Sequence, residues 1–258
     1  MRLHHTTRTD GPTDDRAAVE VERVSHSFDG LDVLGDVSFS IEAGTVACVV
    51  GPNGSGKTTL LRLVAGLLDP DDGTVSVAGA TGRRVGYLAQ QPAFRGQFTV
   101  RETVDFYGAL VETSPDVDAI LERVGLSAVA DRRVDALSGG MRRLLGIAQT
   151  MVGDPSVFVL DEPSSGLDPT MGRHIREVID DLTAAGGAVL LSTHDLRAVE
   201  RVADTVLLLD HGELVAAGRP EELLAEADAQ RLETAIETLG PDAGAASVAS
   251  GLRGGENA

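Results

Sequence analysis

Gly51-Pro52-Asn53-Gly54-Ser55-Gly56-Lys57-Thr58 is the stretch that decides the fold. It follows Thr45-Val46-Ala47-Cys48-Val49-Val50, a short apolar run with the character of a strand buried on both faces, and it runs into Thr58–Leu67, which reads as a helix. A glycine-rich turn with the spacing G-x-x-x-x-G-K-S/T, set between a strand and a helix, has a mechanical meaning. The glycines let successive backbone N–H groups turn inward around phosphates with no Cβ in the way. The helix N-terminus adds partial positive charge at the same place. Lys57 is then placed to reach the β- and γ-phosphates of a nucleotide, and the Thr58 hydroxyl to ligate magnesium.

Downstream, Val157-Phe158-Val159-Leu160-Asp161-Glu162 is an apolar strand ending in two carboxylates. On its own such an ending is as readily a solvated strand end. Beside a phosphate loop, Asp161 can hold magnesium through a water molecule, and Glu162 points where a base would orient or deprotonate the attacking water. Leu137-Ser138-Gly139-Gly140-Met141 opens a helix with a hydroxyl and two glycines, which is either an ordinary capped helix or a second anion-binding helix start.

Strands and helices alternate around these segments. Val19–Val24 and Val37–Ile41 read as strands with Asp29-Gly30 as a turn signal between them, and Val75–Val77 and Val85–Leu88 as further short strands. Thr99-Val100-Arg101-Glu102 is a capping box opening a helix to about Val111, and Ser114-Pro115 opens another that stops at Gly125. A helix from about Gly140 to Val152 precedes Val157–Leu160; then come helix Thr170–Ala185, strand Ala188–Ser192, helix Leu196–Ala203 and strand Val206–Asp210. The expected class is α/β: a core with a mostly parallel sheet, a small N-terminal antiparallel part and an inserted helical lobe over about 92–152. Residues 1–17 and 240–258 read as loose ends, so the folded domain is expected over 18–225, with a C-terminal helix and flexible tail over 226–258.

Of the 258 residues 42% are hydrophobic, ample for one large core. No apolar run approaches the roughly 18 residues that a membrane helix requires, and no signal-peptide core is seen, so the chain is expected to work in the cytoplasm. The formal net charge of -18 argues against a nucleic-acid partner bound through phosphate neutralisation. Lys57 is the only lysine. An acid-rich, lysine-poor surface points to a salt-rich cytoplasm, while a GC-rich genome would explain the missing lysines alone. Cys48, the one cysteine, sits inside an apolar strand and reads as a small buried hydrophobe.

With these pieces in this order, the chain resembles the ABC ATPase family over roughly residues 19–225. Leu137–Met141 looks like the family's signature motif, with Met141 where the family normally has Gln. The resemblance implies that Phe28 stacks on adenine and that Gly51–Thr59 cradles the phosphates of ATP. It implies that Gln90 is the lid glutamine contacting Mg2+ and the attacking water, with Gln91 the neighbouring alternative. Ser165-Gly166-Leu167-Asp168 resembles the loop that crosses a dimer interface, and His194 the switch histidine on the γ-phosphate. Two subunits would pack head to tail, each ATP lying between one subunit's Gly51–Thr59 and the other's Ser138–Gly140, on the inner face of a membrane and driving a separate permease.

Five of the eight aromatics (Tyr87, Phe94, Phe98, Phe106 and Tyr107) fall around Gln90 and the start of the helical lobe. They form either the lobe's own core or a groove for a permease helix. The overall pattern most resembles single-cassette ATPases paired with separate permeases. A non-transport ABC ATPase, such as one of iron–sulfur assembly, is the alternative. A cassette that only clamps ATP is disfavoured by the presence of Lys57, Asp161, Glu162 and His194.

Overall fold

The computed structural model describes residues 17–79 and 83–240. The expected loose ends lie outside the described residues except at Ala17, where the first strand begins, and Gly240, which ends the last helix. The N-terminal hairpin pairs β1 (Ala17–Phe28) with β2 (Leu31–Glu42). Phe28 faces Leu31 across a two-residue turn in which Asp29 and Gly30 have φ +50 and +82. Both lie in the left-handed region, as the tightest hairpin turns require, and this is why Asp-Gly was legible as a turn. β4 (Asp72–Val77) adds to the other edge of β1, making a three-stranded antiparallel sheet in the order β2-β1-β4.

The second sheet has six strands in the order β5-β6-β7-β3-β8-β9, formed by β3 (Val46–Val50), β5 (Val85–Leu88), β6 (Val157–Asp161), β7 (Ala188–Ser192), β8 (Thr205–Asp210) and β9 (Glu213–Gly218). Its first five strands are parallel. Every residue of β3, β6 and β7 is buried, and alternate residues go to different cores. Val46, Cys48, Val50, Leu160 and Leu191 join one cluster with the large helices, while Ala47, Val49, Val159 and Leu190 join the other, with α1 (Lys57–Val64) and the antiparallel sheet. Two covered faces explain why these strands read as unbroken apolar runs. Cys48 is fully buried, and burial pushes its thiol far up from its ordinary range. β9 went unseen in the sequence. It is antiparallel to β8 across a turn at His211 and Gly212, with φ +46 and +83, and its sequence Glu-Leu-Val-Ala-Ala-Gly has little strand character.

Residues 92–152 hold α2 (Val100–Leu110), α3 (Val117–Arg123) and α4 (Gly139–Met151), with single 3₁₀ turns between the last two. Thr99 caps α2 in the box read from the sequence: its hydroxyl accepts from Glu102 N–H, and Glu102 Oε2 accepts from Thr99 N–H at 2.8 Å. α3 starts two residues later than Ser114-Pro115 implied, because Asp116 supplies the cap, accepting from Ala119 N–H. α5 (Pro169–Ala184) and α6 (Leu196–Val202) alternate with the strands as expected. The C-terminal part has two helices, α7 (Pro220–Glu226) and α8 (Leu232–Leu239).

Candidate active site

The Gly51–Thr58 loop, the acids Asp161 and Glu162, Gln90 and His194 lie at or just beyond the carboxyl ends of parallel strands β3, β6, β5 and β7, on the edge where open α/β sheets bind ligands. The loop after β3 needs its glycines. Gly51 has φ +147, and a Cβ there would lie 1.9 Å from the Leu209 carbonyl oxygen. Gly56 has φ +102, and a Cβ there would lie 2.9 Å from the Val33 carbonyl. The loop is thus clamped between β8 and β2, which presses its backbone into a cradle. Inside it, Ser55 is buried and its hydroxyl has no hydrogen-bond partner.

Lys57 Nζ folds back on its own loop, donating to the carbonyls of Gly51 at 2.8 Å and Pro52 at 2.7 Å. Burial lowers the pKa of this amine, while the charges of Glu162 and Asp161 oppose that shift. Thr58 Oγ1 donates to Asp161 Oδ2 at 3.0 Å. Asp161 and Glu162 are buried, with 2% and 9% of their surface exposed, in a protein whose other acids are mostly solvated. Glu162 Oε2 lies 2.9 Å from His194 Nδ1 and Oε1 lies 3.1 Å away. An ionised carboxylate only accepts, so Nδ1 carries the hydrogen and the other ring nitrogen stays free of this pairing.

A cavity of about 360 Å³ gathers these groups: Phe28, Asn53, Gly54, Gly56, Lys57, Thr58, Thr59, Gln90, Asp161 and Glu162 all line it, with Val33 beside Phe28. Phe28 is 43% exposed, and His26 stands edge-on to its ring at 4.7 Å. Of the other expected residues, Gly51, Pro52 and Ser55 belong to the same loop and His194 pairs with Glu162 without lining the cavity, while Ser138, Gly139, Gly140 and Asp168 lie elsewhere. Ser138, exposed, caps α4 by accepting from Met141 N–H at 3.2 Å, with Gly139 and Gly140 beginning the helix. Asp168, also exposed, caps α5 by accepting from the N–H groups of Thr170 and Met171 at 2.9 and 3.0 Å. Met141 packs against the larger core.

Two residues near the site escaped the sequence reading. Arg143, on α4, donates to the backbone carbonyl of Gln90 at 2.6 Å and of Ala89 at 3.3 Å, fastening the loop that carries Gln90 to the helix that Ser138 opens. Burial lowers its pKa against the opposing charges of Asp161 and Glu162. Ser192, at the end of β7, bonds both Asp161 and the backbone of Glu162. An arginine three residues after a glycine pair carries no signal of its own. A serine closing an otherwise apolar strand beside His194 does carry one.

The donor set suits magnesium. Thr58 and Asp161 put a hydroxyl and a carboxylate in contact at the mouth of the cradle. Among the described residues no group of three or more His, Cys, Asp or Glu could hold a metal ion. Mg2+ needs no such group when phosphate oxygens and waters complete its shell.

A family model described as "ABC transporter" matches residues 34–165, the span from β2 through the acid pair into the loop before Asp168. The chain belongs to the ABC transporter ATPase family. Among curated relatives, Nod factor export ATP-binding protein I of Rhizobium johnstonii is 36% identical over 222 residues, which is 81% of this chain and 71% of that protein. The cbiO1 protein of Clostridium perfringens, described as part of the ABC transporter complex cbiONQ, superposes with a TM-score of 0.74 at 25% identity, over 91% of this chain and all of that one. A structure described as the ATP-binding subunit of an ABC transporter gives a TM-score of 0.77 at 24% identity, and shows the fold. This ABC ATPase is therefore an ATP-hydrolysing subunit of a transporter, and the iron–sulfur alternative is not favoured.

Phe94, Phe98, Thr103, Phe106 and Tyr107 line a second cavity of about 250 Å³. Phe106 stands edge-on to Phe98 and to Tyr107 at 5.7 Å, and the Arg95 guanidinium lies 4.5 Å from the Phe106 ring centre. Tyr87 does not line it; that side chain is on β5, with its hydroxyl buried.

Proposed function

We propose that two copies of this chain close head to tail over two molecules of ATP on the inner face of a membrane, and that closure and reopening drive a separate permease. The observation that carries this reading is the incompleteness of the cleft: Lys57, Thr58, Asp161 and Glu162 line it, whereas Ser138 and Asp168 present capped, exposed helix starts elsewhere on the chain. A Cβ built on Gly139 or Gly166 meets nothing within 4 Å, so these two positions face open space, while Gly140 is packed against Met171.

In the closed site, Phe28 and Val33 would bed the adenine. The N–H groups of the Gly51–Thr59 loop would hold the phosphates, with Lys57 turning from its own carbonyls to the β- and γ-oxygens. Thr58, Asp161 and Gln90 would hold Mg2+, which when bound neutralises phosphate charge. Glu162 would accept a proton from the attacking water as the oxygen bonds the γ-phosphorus and ADP leaves, while His194 orients the terminal phosphate. The aromatic cavity beside Arg95 would receive a helix of the permease. No described helix is long and apolar enough to cross a membrane, so the transport path would belong to that partner. The first relatives are named as export ATP-binding proteins, which favours export here too.

Ser138→Arg tests the shared site. It should reduce ATP hydrolysis to background although Ser138 does not line the chain's own cleft. Mixed with Lys57→Ala subunits it should recover one competent site per heterodimer, because the intact loop of one meets the intact Ser138 of the other. Normal hydrolysis by Ser138→Arg alone would refute the arrangement.

The acid excess supports a second proposal, that the protein is built for molar salt. At roughly 3 Å the Debye length in 1 M salt is shorter than most surface charge separations, against about 10 Å at 0.1 M. With a net charge of -18, the thermal midpoint should rise across a KCl series from 0.1 M towards molar concentration. A flat or falling midpoint would show that the acids reflect composition alone.

A further inference from the structure

The strand Ala188-Val189-Leu190-Leu191 would continue most simply with another apolar residue, since every position of β7 is buried. It ends instead on Ser192, whose relative exposure is 0% and which sits directly beside Asp161 in the parallel register of β6 and β7. A hydroxyl in so dry a place needs partners, and it has two. Its O–H donates to Asp161 Oδ1 at 2.6 Å, and its oxygen accepts from Glu162 N–H at 2.9 Å. Because Thr58 already donates to Oδ2, the two oxygens of Asp161 are held by two different hydroxyls, which fixes the plane of the carboxylate. Glu162 has φ +50, a left-handed conformation that a side chain with a Cβ rarely adopts, and its N–H is held by the same serine oxygen.

We propose that Ser192 is a positioning residue for hydrolysis, one buried hydroxyl that sets both the orientation of the Asp161 carboxylate and the backbone turn that aims Glu162. The proposal rests on the reading of Asp161 and Glu162 as metal-holding and proton-accepting groups. Ser192 touches neither nucleotide nor water in this scheme. It acts through the two acids, so its loss should fall on the chemical step and on Mg2+ use, and leave the phosphate cradle alone. Removing the hydroxyl leaves Asp161 Oδ1 and Glu162 N–H without this partner in a buried setting. Asp161 is then free to rotate, and Glu162 to relax towards an ordinary φ.

Full-length Ser192→Ala and Ser192→Thr decide the matter, with Glu162→Gln measured alongside. Ser192→Ala should lower kcat by about 10- to 100-fold, the usual cost of removing a group that orients a metal-holding carboxylate, with KM for ATP close to wild type. Titrated with a fluorescent ATP analogue, it should bind normally in EDTA but need more Mg2+ for half-maximal enhancement of binding. Ser192→Thr, which restores the hydroxyl on a residue suited to a strand, should recover most of both. The proposal is overturned if Ser192→Ala hydrolyses at the wild-type rate. It is equally overturned if that variant fails to fold or loses nucleotide binding in EDTA, since the role is then structural. A folded Ser192→Thr no better than Ser192→Ala overturns it as well. Wild-type hydrolysis by Glu162→Gln would instead sink the assignment of the base, leaving the Mg2+ titration to judge Ser192 through Asp161 alone.

Discussion

Glu162→Gln is expected to lower hydrolysis by about 10²- to 10⁴-fold, the range that a positioned proton acceptor contributes, while ATP affinity is kept. An amide has the shape of the carboxylate but cannot take a proton from water. It also removes a negative charge from a buried position where a triphosphate must approach. The His194 Nδ1 hydrogen can still be accepted, now by the amide oxygen, so the local contact survives the change. ATP that binds but is not cleaved should hold the two subunits closed, and size-exclusion chromatography in MgATP should show a long-lived dimer that the wild type shows only transiently. The two readouts judge different claims. A wild-type hydrolysis rate removes Glu162 from the role of base, and a variant that stays monomeric in MgATP removes the nucleotide-sandwich dimer.

How much of this was legible beforehand depends on how local each signal is. The cradle is a local object: strand, glycines, lysine and hydroxyl lie within fifteen consecutive residues, and their spacing alone carries the chemistry. The same holds for the Asp29-Gly30 turn, because a two-residue hairpin demands φ > 0 within the dipeptide itself. β9 was missed for the converse reason. His211-Gly212 is a less usual pair for such a turn, and half of the strand after it is alanine and glycine, so only its pairing with β8 reveals it.

The same distinction runs through the site. Asp161 and Glu162 stood out because they close a strand that is otherwise apolar, and His194 because of its resemblance to the family's switch histidine. Ser192 ends such a strand too, and its meaning was hidden because its partners lie about thirty residues away and meet it only through the register of β6 on β7. Arg143 is held to the loop that carries Gln90 by backbone carbonyls, which every residue possesses, so no sequence pattern could have named its partner. His26 behind Phe28 is a third case: the two are spaced to share one face of β1, but which aromatic the histidine would meet depends on the twist of the hairpin. The residues that line the cavity were thus legible, whereas what Ser192, Arg143 and His26 meet became legible only with the sheet order.

The second large effect follows from the solitary lysine. Because Lys57 is the only ε-amine in the sequence, an amine-directed acylating reagent has two targets, Lys57 and the chain's α-amine. Burial lowers the Lys57 pKa, so at a given alkaline pH more of it is the reactive neutral amine than in a solvated lysine, although half-burial also limits access. Acylation removes the positive charge that would hold the β- and γ-phosphates and places a bulky amide where Nζ now bonds the Gly51 and Pro52 carbonyls. Modification at Lys57 should therefore abolish ATPase activity in proportion to the fraction labelled. Saturating MgATP should slow that labelling for two reasons that act together: the phosphates cover the amine, and their charge raises its pKa and keeps it protonated. Labelling of the α-amine should neither inactivate the enzyme nor respond to nucleotide, and peptide mass spectrometry separates the two sites. Full acylation of Lys57 with activity retained, or a labelling rate that MgATP leaves unchanged, would show that the cradle does not hold the nucleotide as its geometry implies.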